Sequence, residues 1–483
     1  MKKFLLLLCI SFILFAGCKL MDKNKDASLD KSGMNLSVKP GDDFFEYSNG
    51  MWFKKTRIPA DQIGWGSFYK LYDDNLKKLR ELLTDLAAAN NAKGSLEQKS
   101  GDFYSSGMDT DAIEKKGYEP LKPMLQKIDA VNNYKELLNL VAAGFATGNG
   151  DLIGFSVGAD EKNSANNIAI FSQSGLTLPD RDYYFKTDSV TLDQKNKMIQ
   201  FATKLFTLTG SDSSTANKKA NDILKLETAI ATSHLKPVEL RDPQANYNKK
   251  SFAELQSLSP SISWSEIFTI MNFHADSFNI QQPKYYEALS KLLASEPIDV
   301  WKSKVAFDYI SGKTDYLGKE FRDASFEFNK TFSGQKVQSE RWKTIVSAAD
   351  NGLQDVLGQL YVQKYFPPEA KQRMDELINN LQKAFSARIA KLDWMSDSTK
   401  QKAQQKLAAF LKKIGYPSKW KNFDDVAIDR NDYFGNKERL EMHYYKEEIG
   451  KIGKPVDKTE WGMTPPTVNA YYNPTFNEIV FPA

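Results

Sequence analysis

The chain has 483 residues and a mass of 54.7 kDa, with 41% hydrophobic, 12% aromatic and 26% charged residues. This is a globular composition with material for roughly two to four domains, and it excludes a disordered, collagenous or multi-span membrane protein. The net charge of +4 comes from 65 basic and 61 acidic residues that are interspersed, so no basic stripe exists and nucleic acid is excluded as an expected partner.

In chain order, Lys2 and Lys3 precede an apolar run from Phe4 to Ala16. The run is too short to span a bilayer and has the length of a signal-peptide core. It closes on Phe15-Ala16-Gly17-Cys18, which looks like a bacterial lipoprotein processing site. Residues 1–17 therefore read as a signal peptide and Cys18 as the lipidation site. Removal of Cys9 with the signal leaves Cys18 as the one cysteine of the mature chain, which excludes a disulfide framework. Residues 18–41 are polar and read as a flexible tether. The expected location is the bacterial cell envelope, outer membrane or periplasmic face, with the membrane reached through a lipid on Cys18.

The body reads as mainly helical. Phe68, Leu71, Tyr72, Leu76, Leu79, Leu82, Leu83 and Leu86 keep one face apolar at helical spacing, as do Leu353, Val356, Leu357, Leu360 and Tyr361. Pro367-Pro368 stops the second stripe. A third helix is expected from Glu369 through Met374, Leu377, Ile378, Leu381 and Phe385. A fourth is expected from Ser398 through Leu407, Phe410, Leu411 and Ile414, capped by Gly415 ahead of Pro417. All four stripes are read as core-facing. Alternation at Phe155, Val157 and Ala159, a polar turn, and Ile168 with Ile170 predict a hairpin; a second is expected from Val468–Tyr472 and Glu478–Phe481.

Residue chemistry alone assembles no catalytic centre. The three histidines, His234, His274 and His443, are scattered, and none begins the His-Glu-x-x-His in which two imidazoles one turn apart grip zinc. No Gly-x-Ser-x-Gly elbow or phosphate-binding Gly-rich loop is present.

Longer strings carry more. Residues 42–68 read DDFFEYSNGMWFKKTRIPADQIGWGSF, 173–184 QSGLTLPDRDYY, 360–371 LYVQKYFPPEAK, 413–420 KIGYPSKW and 468–483 VNAYYNPTFNEIVFPA; Arg241-Asp242-Pro243 leads into Tyr247-Asn248, and Trp394-Met395 precedes Thr399-Lys400. In this order and spacing the chain resembles the neprilysin and endothelin-converting-enzyme family of zinc metallopeptidases over residues 42–483. The resemblance implies a large helical lid with small β-hairpins over residues 42–424. Residues 425–483 would then be the connection to, and start of, a thermolysin-like α+β catalytic domain. It implies peptide substrates whose backbone is held by Asn469 and Ala470. An extended strand edge can pair with an extended peptide, and an Asn amide adds a donor and an acceptor.

Two departures accompany the resemblance. In the family, the zinc helix with His-Glu-x-x-His follows the Asn-Ala-Tyr-Tyr hairpin, whereas this sequence reaches Ala483 first, short by roughly 200 residues or one more domain. Arginines that some animal members carry near the positions of Gly64 and Tyr72 are also absent. The expectation is the N-terminal portion of a cell-envelope zinc metalloendopeptidase. Zinc is the cofactor of the complete family enzyme, but none is expected to bind this chain and no catalytic residue is expected in it. A separately encoded catalytic part is a possible partner. The alternative is a non-catalytic peptide-binding lipoprotein. Without the rest of its sheet, the tail after Trp461 is expected to be frayed.

Overall fold

The computed structural model describes residues 31–483, so the signal peptide, Cys18 and the first part of the tether lie outside the described residues. The described residues divide into two compact units, one ending at Trp65 and the other spanning Gly66–Ala483. The longer helices are numbered here in chain order.

In the first unit, α1 (Phe44–Lys55) is capped by Asp43, whose carboxylate accepts the Glu46 N–H at 2.8 Å. The end of the expected tether folds onto this helix. Asn35 donates its backbone N–H to Tyr47 O and its side-chain amide to Glu46, both at 2.8 Å. Gly50 lets the Glu46 carboxylate lie flat on the helix, because a Cβ there would stand 2.4 Å from Oε1.

The second unit is mainly α. Its elements are α2 (Ser67–Ala88), α3 (Leu96–Met108), α4 (Tyr134–Gly144), β1 (Gly154–Asp160), β2 (Asn163–Ser172), α5 (Ser189–Leu208), α6 (Ser213–Ala231), β3 (Lys249–Ser251), β4 (Ser277–Ile280), α7 (Pro283–Ser295), α8 (Ile298–Gly312), α9 (Lys319–Ser333), α10 (Arg341–Tyr365), α11 (Pro368–Ala390), α12 (Asp397–Ala408), β5 (Leu411–Gly415), α13 (Tyr433–Ile449), β6 (Tyr471–Asn473) and β7 (Glu478–Pro482). No helix among the described residues is long and apolar enough to cross a membrane.

Three cores organise the unit. One lies against a four-stranded sheet ordered β1-β2-β4-β3 and is rich in rings, with Phe171 at its centre, edge-on to Trp264, Phe278 and Tyr286. The second joins α2, α3, α10 and α13 through Leu79, Leu83, Phe103, Ile345, Leu353, Leu357 and Leu440, all essentially inaccessible. The third binds α5, α6, α8 and α9, with Phe201 stacked on Phe328 at 5.0 Å.

The hairpin expected at 155–170 is β1–β2, antiparallel, with Phe155 opposite Phe171. The stripe on α10 is buried as expected, and the chain leaves that helix just before Pro367. Elsewhere the patterns mislead. On α2 only the C-terminal half of the stripe is core; Phe68, Leu71 and Tyr72 are exposed. On α11, Met374 is half-buried and Leu377, Leu381 and Phe385 are exposed, while Ile378 and Ile389 alone are buried.

The fourth helix is also corrected. It ends at Ala408, and Leu411–Gly415 is a strand parallel to β7. Pairing with a distant strand overrides a local pattern that fits helix and strand almost equally. Gly415 is left-handed (φ +79°) as expected of a cap, but it ends this strand, against the Phe366 ring. The frayed tail is corrected for the same reason: β5-β7-β6 is a three-stranded sheet, and Val480 at its centre is fully buried.

Candidate functional site

The segment carrying Asn469 and Ala470 is pinned before it reaches its strand. Pro465 lies against Gly358 of α10, where a Cβ would come within 2.9 Å of the proline ring. Asn75 of α2, buried, donates to Pro466 O at 2.5 Å and accepts from the Tyr361 hydroxyl at 2.9 Å. Further along, the Asn469 N–H donates to Thr467 O at 2.9 Å, and Asn469 Oδ1 accepts the Ala470 N–H at 2.8 Å. Both residues are exposed, and the Asn469 amide nitrogen has no hydrogen-bond partner among the described residues.

The strand that follows is held on one edge only. Tyr471 sits opposite Val480, Tyr472 opposite Ile479 and Asn473 opposite Glu478, and among the described residues no strand is paired to the outer edge of β6. Asn473 Oδ1 accepts the Thr475 N–H at 3.0 Å to start the turn, and Asn477 finishes it in the left-handed region (φ +50°), which asparagine tolerates. Asn477 Nδ2 then reaches Lys406 O at 3.0 Å, docking the turn on the end of α12.

Beneath the strands lies a buried ion pair. Lys413 of β5 and Glu478 of β7 meet at 2.6 Å with side chains 7% and 1% exposed, and Lys413 also donates to Glu460 O. The Gly462 N–H donates to the Tyr471 hydroxyl at 2.8 Å, so the loop 457–462 and β6 are fixed to one another. Burial is the main reason the Tyr471 hydroxyl titrates above its ordinary range. Such a pair resists loosening, because removing either partner strands a charge in the interior.

Beside this segment is a cavity of about 320 Å³, at the point where α10 departs from helical geometry at Gln354. Asp355, Lys421, Glu447, Trp420, Trp461 and Met463 help line it. Lys421 and Glu447 pair at 2.9 Å, and burial raises the Asp355 carboxyl above the usual range.

The histidines do not converge into a metal site. His234 Nε2 lies 3.0 Å from Ser174 O with the ring edge-on to Tyr285, and burial lowers it to about 4. His443 Nδ1 lies 2.8 Å from Asp425 Oδ1, with its ring against Phe423; His274 is exposed. Among the described residues no group of three or more His, Cys, Asp or Glu side chains could hold a metal ion. These residues do not fit a catalytic zinc, which needs three protein ligands. What the arrangement offers is an unpaired strand edge flanked by an exposed Asn, the chemistry of main-chain peptide binding.

The family model described as peptidase family M13 matches residues 40–417. The chain belongs to peptidase family M13. Human endothelin-converting enzyme 1 is 31% identical over 477 residues, covering 94% of this chain and 61% of the enzyme; Neprilysin-3 of Drosophila melanogaster is 29% identical, covering 93% and 61%. The chain thus spans about three fifths of the length of these M13 relatives. Among solved structures, the inhibitor complex of the Mycobacterium tuberculosis zinc metalloprotease ZMP1 superposes with a TM-score of 0.88 at 36% identity, covering 94% of this chain and 69% of that one. PepO from Lactobacillus rhamnosis shares the fold (TM-score 0.84, 23% identity, 92% and 71% covered).

Asn75, Tyr361, Lys413 and Glu478 escape sequence reasoning. The bond from Asn75 to Pro466 joins residues 391 apart, and nothing local in either segment signals it. Glu478 inside an apolar strand pattern was the available clue, since a charge at a core position needs a partner; Lys413 gave none, because its segment reads as helix.

Proposed function

We propose that this chain is the lid and peptide-holding portion of a zinc metalloendopeptidase of the cell envelope, with the zinc-binding chemistry carried outside these 483 residues. The observation that carries the reading is the exposed Asn469-Ala470 pair leading into the one-sided strand β6 in a chain of the M13 family. An extended peptide aligned along β6 would exchange main-chain hydrogen bonds with Tyr471–Asn473, and the Asn469 amide would donate to its backbone. The chain's own residues bind and orient; they do not activate water. Zinc held by residues outside this chain would supply a polarised water and Lewis-acid stabilisation. Attachment to the membrane through a lipid on Cys18 belongs to the same proposal, and replacing Cys18 with Ser should release the exported protein into the soluble fraction.

The test begins with the DNA beyond codon 483. A segment encoding His-Glu-x-x-His, in frame, frameshifted or adjacent, should restore chelator-sensitive cleavage of a fluorogenic peptide when produced with this chain. Asn469→Ala should then lower peptide turnover at least tenfold with the unfolding temperature unchanged. Unrelated DNA downstream, with peptide bound and left uncut by this chain, would favour the non-catalytic binding lipoprotein instead.

A further inference from the structure

Away from the substrate strand, buried charge collects where α8 packs against α6. Glu227 of α6 is fully buried and its carboxylate is fully used. Oε1 accepts from Thr177 Oγ1 at 2.7 Å and from Lys304 Nζ at 2.9 Å; Oε2 accepts from the Thr177 N–H at 2.9 Å and from the Tyr184 hydroxyl. Thr177 and Tyr184 lie in the string 173–184 whose spacing stood out in the sequence, and this contact gives that string a physical role. Lys304 of α8, 1% exposed, also donates to Oδ1 of Asp308 one turn along the same helix. Asp308 Oδ2 is buried and has no hydrogen-bond partner among the described residues.

The surroundings of Asp308 are unbalanced. Glu227 faces it from α6 and Asp151 from the segment before β1, while Lys304 is the cation that opposes them. The buried Tyr285 hydroxyl faces it from α7, donating to Leu152 O at 2.8 Å. Lys313, the other cation near Asp151, is committed elsewhere, to Glu441 and Thr147 O, both at 2.6 Å. Two buried carboxylates, Glu227 and Asp308, therefore share one buried ammonium, with Asp151 adding its charge from the exposed margin, and the least satisfied oxygen of the buried pair is Asp308 Oδ2. A low-dielectric site does not sustain that charge excess; it takes up a proton where the charge is worst paired.

We propose that Asp308 is a proton-holding residue, protonated on its unpartnered oxygen at neutral pH, and that loss of this proton loosens the joint between α6 and α8. Burial is the main cause; Lys304 opposes it, Asp151 and Glu227 reinforce it, and the carboxyl is pushed up to about 8. In the unfolded chain an Asp titrates near 3.9, so folding takes up a proton between roughly pH 4 and 8. Native stability falls as the pH rises through that window and levels off above it. The proposal is independent of the peptidase reading.

The test is urea unfolding of the whole chain from pH 6.5 to 9.5, comparing wild type with Asp308→Asn, which keeps the shape and cannot ionise. The ratio of the two unfolding constants should change by up to tenfold per pH unit below about pH 8 and flatten above. A ratio that stays constant across the range overturns the proposal, because it means that Asp308 is already ionised in the native state. Should Asp308→Asn fail to fold, Asp151→Asn carries the test. Removing that charge should move the flattening of the wild-type curve to lower pH, and an unmoved curve overturns the proposal.

Discussion

Helices α10 and α11 follow one another across Phe366 and Pro367 and have nearly equal lengths, 25 and 23 residues. Both carry apolar side chains at helical spacing. On α10 those side chains are core: Ile345, Val346, Ala349, Leu353 and Leu357 lie among α2, α3 and α13. On α11, Leu377, Leu381 and Phe385 are 48%, 56% and 56% exposed, while Ile378 on another face packs inward. An amphipathic stripe states that a helix needs a partner; it does not state which segment supplies one. The same holds for strands: β7 is covered on both edges, and β6 is paired on one.

This contrast can be broken experimentally. The largest effect is expected in the small sheet, where Glu478→Ala would leave Lys413 charged and unpaired in the interior at a cost of about 3–5 kcal/mol. Hydrogen exchange across residues 471–482 should then collapse from protected to fast; unchanged protection would mean that the pair does not hold the sheet. Next comes Leu357→Ala on α10, expected to cost about 2–5 kcal/mol in urea unfolding because its site is fully enclosed. The matching Leu381→Ala on α11 should stay within about 0.5 kcal/mol, the range of surface changes. Equal costs at the two positions would show that α11 is covered in solution.

The part of this contrast visible in the sequence was the local part. The hairpin β1–β2 was readable because its alternation and turn lie within a stretch of nineteen residues (154–172). The α10 stripe and its stop at Pro367-Pro368 were readable for the same reason. The strand β5 was not, because Leu411-Lys412-Lys413-Ile414-Gly415 continues a helical spacing and its partner lies at Glu478–Pro482. Asn469 and Ala470 came from resemblance to a family, and the side chains that aim them, Asn75, Tyr361 and Lys413, came from the fold alone. Charge was the weakest guide: the interspersed lysines and carboxylates said nothing of the buried Glu227–Lys304–Asp308 cluster.

Two smaller effects sharpen the contrast between structural and binding residues. His234 is lowered to about 4 by burial, so the unfolded chain, with histidine near 6.5, binds the proton first. Stability should fall as the pH drops from about 6.5 toward 4, and His234→Gln should lose that acid-dependent component; parallel melting curves for the two proteins between pH 4 and 7 would contradict a buried neutral imidazole. Asn469→Ala, at an exposed site, should leave stability within about 0.5 kcal/mol. A larger loss in urea unfolding would make Asn469 a folding residue and weaken its assignment to substrate.

The most direct test of the account is a metal and activity measurement on the chain itself. Purified residues 18–483, equilibrated with zinc and dialysed, should retain far less than one zinc per chain by elemental analysis and should not cleave a fluorogenic peptide. Stoichiometric zinc together with chelator-sensitive cleavage would place the catalytic centre within this chain and contradict the account.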